Sequence, residues 1–131
     1  MDTRTVRIDL EHDSSAPRTA RLFLVKVLRG WGVSSEAIER SQLLVSELVS
    51  NAVLHGAGPV QLRASKAGGG LGALRIEVSN GGRGRPRMRR VTNEDLCGRG
   101  LLIVDELSDG WGTKNIDGRT LVWFELNSSV V

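Results

Sequence analysis

The chain of 131 residues carries 18 basic and 15 acidic side chains, a formal net charge of +3, and one cysteine, Cys97. That length suits one domain whose core needs no covalent staple, and a single cysteine excludes an intrachain disulfide. The opening "MDTRTVRIDLEHD" lacks the apolar segment of a signal peptide, and no run approaches the roughly 18 apolar residues of a membrane span, so a soluble cytoplasmic protein is expected.

In chain order, "TVRIDL" alternates apolar and polar residues and predicts a strand over residues 5–10. Ser14, Ser15 and Pro17 form a helix start before "RTARLFLVKVLRGWG", where Phe23, Val27 and Trp31 recur at four-residue steps and Gly30 and Gly32 act as stops. A second helix begins near Ser34 and Ser35 with Glu36 in its first turn, and ends at Gly56, Gly58 and Pro59. Two alternating strands follow, with Val60, Leu62 and Ala64, then Leu74, Ile76 and Val78, facing inward across the flexible "AGGGLG". Residues 80–99 are rich in glycine and arginine and read as a long loop. "GRGLLIVDELSD" predicts a short helix opening on glycines, and "WGTKN" and "TLVWFEL" a hairpin around "NIDG". Such an order makes an α+β, two-layer sandwich with helices covering one face of a sheet.

The second helix carries an anomaly. "ELVSNAVLHG" (47–56) sets Glu47, Asn51 and His55 four residues apart, on one face, inside a strongly apolar run. A half-buried polar stripe needs hydrogen-bond partners or a ligand, because an unpaired buried carboxylate or amide is costly. "RGRPRMRR" (83–90) gathers five of the arginines. It reads either as a solvated loop or as a contact for phosphates, acidic protein or nucleic acid. With no aromatic interleaved and no zinc-finger or RNA-recognition signature, the sequence argues against nucleic acid. No glycine-lysine-serine/threonine motif is present, which argues against a Walker-type NTPase.

Taken together, "ELVSNAVLHG", "NGGRG" (80–84) and "GRGLLI" (98–103) resemble, in order and spacing, the three ATP-site boxes of the GHKL fold shared by gyrase, histidine kinases and MutL. Within it the chain is most similar to the small anti-sigma factor serine/threonine kinases. The resemblance implies one GHKL-type domain over residues 1–131, with a mixed sheet. It implies Mg²⁺ and ATP as cofactors, with Asn51 as the metal-coordinating asparagine and Glu47 as the general base. It places His55 at the nucleotide or, equally, as a residue closing the helix. Asn80, Gly82 and Gly84 of the second box, Gly98, Arg99, Gly100 and Leu101 of the third, and Thr120 complete the implied nucleotide contacts. A plain β-strand role for Thr120 stays open. The implied partners are a sigma factor, an antagonist protein phosphorylated on serine or threonine, and a second copy in a homodimer. One position departs from the pattern: the second box normally begins with aspartate, and this chain has Asn80. A degenerate interaction module that kept the fold without catalysis is the second reading, and a nucleic-acid binder using the arginine loop the third.

Overall fold

The structure is a computed structural model that describes residues 4–66, 73–81 and 106–127. Strand β1 (Arg4–Leu10) leads into helix α1 (Ala16–Gly30), helix α2 (Ser35–His55), strands β2 (Val60–Lys66) and β3 (Ala73–Asn80), and the hairpin of β4 (Gly110–Ile116) and β5 (Arg119–Asn127). The five strands form one sheet in the order β1-β2-β3-β5-β4. Among the described residues every pairing is antiparallel, where a mixed sheet was expected. The reason lies in the connections. A single helix between neighbouring strands would return the chain parallel, but α1 and α2 together reverse it twice, so β2 runs against β1.

Helix starts follow local chemistry. At α2 the Ser34 hydroxyl accepts from the Ala37 backbone N–H at 3.2 Å, and Glu36 pairs with Arg40 one turn on. At α1 the expected serine cap is different. The Ser15 hydroxyl and N–H both turn back to the Asp13 carboxylate, and these bonds, side chain first, hold its pKa below the usual 3.8. Pro17 in the first turn supplies the helical φ instead. Next door, the His12 ring reaches two carbonyl oxygens, Gly58 O from Nδ1 at 2.7 Å and Val53 O from Nε2 at 3.0 Å. Carbonyls only accept, so a ring nitrogen that bears a proton donates to the carbonyl before it, which ties the β1–α1 connection to the end of α2.

The core lies between the helix pair and one sheet face. Val60, Leu62 and Ala64, with Leu74, Ile76 and Val78, are all buried there as their alternation predicts, joined by Phe124 and Leu126 from β5. On α1 the buried stripe is Ala16, Ala20, Leu24 and Leu28, one position on from the expected Phe23, Val27 and Trp31, which pack around its margin. The two alanines let the helix sit close. On α2 the inward residues include Leu44, Val45, Leu48, Val49 and Ala52, while Leu43 and Leu54 face solvent. The "NIDG" hairpin is closed by Asp117 and Gly118, both at positive φ (50° and 80°), the geometry of a two-residue turn whose twist suits antiparallel strands.

Ser41 is the exception inside the core: its fully buried hydroxyl has no hydrogen-bond partner among the described residues. Ser41→Ala is therefore expected to raise stability by about 1 kcal/mol, read as an upward shift of the denaturant midpoint at unchanged slope. A lower midpoint would mean the hydroxyl is satisfied.

Candidate nucleotide-binding site

Helix α2 spaces Glu47, Asn51 and His55 one turn apart along one face, with Glu47 and His55 half-buried and Asn51 only 5 % exposed. The Asn51 amide is thus nearly buried in an apolar helix, little more than one turn before that helix ends at Gly56.

The sheet brings two more of the implied residues to that end. Asn80 closes β3 and Thr120 opens β5, and the register sets them directly opposite each other. They share the parity of Val78 and Val122, so they lie on the helix-facing side, 5 % and 8 % exposed. Asn80 also meets α2. A Cβ built on Gly56 would fall 2.5 Å from Asn80 Nδ2 and 2.6 Å from the Ala52 carbonyl oxygen, so only glycine lets the amide lie against the helix terminus. Three residues taken from separate motifs are thus gathered at one end of the sandwich: Asn80 and Thr120 as cross-strand neighbours, and Asn51 in the turn of α2 that leads to them.

This buried set is neutral, two amides and a hydroxyl, able both to donate and to accept. That suits the edge of a nucleobase. The described residues contain no group of three or more histidine, cysteine, aspartate or glutamate side chains able to hold a metal by themselves. The Asn51 amide oxygen is a hard neutral donor, and a Mg²⁺ ion held by it would carry phosphate oxygens and water as its other ligands. Gly82, Gly84, Gly98, Arg99, Gly100 and Leu101, together with Cys97, the arginine segment and most of the short helix expected after "GRG", lie outside the described residues. Gly56 was legible only as a helix stop; its contact with Asn80 depends on the register of β2 and β3, which no local pattern reveals.

A sequence profile of the histidine kinase-like ATPase domain matches residues 10–125. The chain belongs to that family. Its fold is similar to that of the RsbU and RsbW domains of Rv1364c from Mycobacterium tuberculosis, with a TM-score of 0.69 and 23 % identity over 98 % of this chain and 34 % of that one. It therefore spans about a third of that longer protein. A chain of the SiaB–SiaC complex from Pseudomonas aeruginosa is similar over 92 % of this chain and 88 % of its own, with a TM-score of 0.56 and 16 % identity. No curated protein matches the chain. Family membership bears out the GHKL resemblance and the two-layer α+β sandwich, and histidine kinase-like ATPase domains are nucleotide-binding folds. Among the described residues no helix is long and apolar enough to cross a membrane.

Proposed function

We infer that residues 1–131 form an ATP-binding regulatory domain of the anti-sigma factor kinase type, cytoplasmic and homodimeric, which sequesters a sigma factor and phosphorylates serine or threonine on an antagonist protein. One observation supports this above others: Asn80 and Thr120, drawn from motifs far apart in sequence, are buried partners against the end of the helix that bears Glu47 and Asn51. Bound Mg-ATP supplies the γ-phosphoryl group. The chain's own residues do the rest. The Glu47 carboxylate takes the proton from the attacking hydroxyl, Asn51 offers its amide oxygen to the cation, and Asn80 accepts from the amino group of adenine beside Thr120. In this reading Gly82, Gly84, Gly98, Arg99, Gly100 and Leu101, which lie outside the described residues, keep with His55 the nucleotide contacts that the resemblance implies.

The test is titration of ATP with and without Mg²⁺ against the native chain and Asn51→Ala. Saturable, Mg²⁺-strengthened binding that loses its Mg²⁺ dependence in Asn51→Ala is expected. No saturable binding to the native chain would establish the second reading, an interaction module without catalysis, which Asn80 in place of aspartate favours.

That same position sets nucleotide choice. A carboxylate only accepts, so it pairs with adenine and repels the carbonyl oxygen that guanine presents there; an amide can accept from one or, flipped, donate to the other. Asn80→Asp is expected to strengthen ATP binding by about tenfold and widen ATP-over-GTP discrimination. Paired titrations of both nucleotides read the effect, and unchanged selectivity would remove residue 80 from the base.

A further inference from the structure

The sheet face turned away from α1 and α2 carries its own electrostatic pattern. Its centre is neutralised. Arg75 bonds Glu77 at 2.8 Å and Glu125 at 2.9 Å, and its guanidinium lies 4.2 Å from the centroid of the Trp123 ring. Partial burial alone would lower the Arg75 pKa, but the two carboxylates outweigh it and hold the charge more firmly than usual. Trp123 in turn lies over Gly112, where a Cβ would come within 2.8 Å of the ring.

Towards β1 and the β4–β5 turn the same face is different. The register puts Arg7 directly opposite Arg63, and like charges in that relation destabilise a strand pair. Among the described residues Arg7 has no ion pair, and Arg63 has only Glu77 at 3.9 Å, a carboxylate that Arg75 holds far closer. From the other side Arg119 reaches back and donates to the Ser79 hydroxyl at 2.9 Å rather than to a carboxylate. These three guanidiniums line one cleft of about 190 Å³ together with Gln61, Ser79, Asp117 and Glu77, the last a carboxylate already held by Arg75 at 2.8 Å.

We propose that this cleft is a phosphate-binding site, taking a phosphate monoester or inorganic phosphate. The donors come from four neighbouring strands: Arg7 from β1, Arg63 from β2, the Ser79 hydroxyl from β3 and Arg119 from β5. A tetrahedral oxyanion presents oxygens that way, whereas a carboxylate presents two in one plane. The ligand would also relieve the Arg7–Arg63 repulsion that the empty fold sustains. Nothing in this depends on the nucleotide reading, since the cleft lies on the opposite face of the sheet. The two are nonetheless back to back, because Ser79 and Arg119 are the chain neighbours of Asn80 and Thr120.

Amide spectra of the ¹⁵N-labelled chain, titrated with inorganic phosphate and separately with a short phosphoserine peptide at ionic strength held constant with chloride, test the site. Saturable shifts at the amides of Arg63, Ser79 and Arg119 are expected. Arg7→Gln and Arg119→Gln should each weaken binding by about tenfold, the loss of one charge-assisted contact, while Arg40→Gln on the helical layer leaves it unchanged. Tighter binding of the peptide than of free phosphate assigns the site to a phosphorylated protein, and equal binding assigns it to the free ion. Shifts reproduced by chloride alone, shifts centred on Asn51 and His55, or full affinity in both variants would overturn the proposal.

Discussion

Glu47→Ala should retain ATP binding while phosphoryl transfer to a protein hydroxyl falls by about 10²-fold or more, equivalent to about 2.7 kcal/mol of transition-state stabilisation. The separation of the two effects follows from position. Glu47 is half-buried on α2 a full turn before Asn51, whereas Leu44, Val45, Leu48 and Val49 of that helix are buried in the core. Alanine is the strongest helix former, so the helix that presents Asn51 survives the change. What disappears is the one carboxylate on the stripe, and with it the proton acceptor. Single-turnover transfer measured beside equilibrium ATP binding distinguishes the outcomes. Transfer at the native rate would remove Glu47 from the role of base, whereas loss of binding together with transfer would make it a structural residue of the pocket.

Gly56→Ala should be the most damaging small substitution near the site. The backbone there is extended (φ −97°), so the cost is one of space rather than of conformation. A methyl group would press at once on the Asn80 amide and on the Ala52 carbonyl oxygen, and the latter belongs to the helix backbone. Overpacking of this kind costs about 1–3 kcal/mol. The Asn80 side chain is nearly buried and has little room to yield, so the strain passes into the base-recognition position. The expected result is a lowered melting temperature and a loss of ATP affinity of at least about tenfold. Native affinity in Gly56→Ala would show that the Asn80 amide does not contact the base.

The sequence reveals some of these features and hides others for physical reasons. Period-two alternation marks β2 and β3 because each buries one face, and Asp117-Gly118 marks the hairpin because few residue pairs accept positive φ in succession. On α1 the large side chains drew the stripe to Phe23, Val27 and Trp31, whereas close packing selects the line containing Ala16 and Ala20; small residues carry little hydrophobic signal yet decide how near a helix can lie. The polar stripe on α2 was legible because polarity inside an apolar run is itself a signal. The meeting of Asn80 with Gly56 was not, since it is a product of strand register. The His12 latch was equally silent, a bond between residues 46 positions apart that no local spacing encodes.

The pairing of β3 with β5 has a further consequence. β2 with β3, and β4 with β5, are sequence-adjacent pairs that each need only a short stretch of chain to form, whereas β3 and β5 come together across a long one and pay correspondingly more entropy of closure. This seam joins the β2–β3 pair to the β4–β5 pair, as β1 is joined to β2 across the two helices. Asn80 lies at the end of the seam on one pair and Thr120 on the other. Any molecule that grips both residues acts as a stitch between them, and the free energy of its binding enters directly as resistance of that seam to local opening.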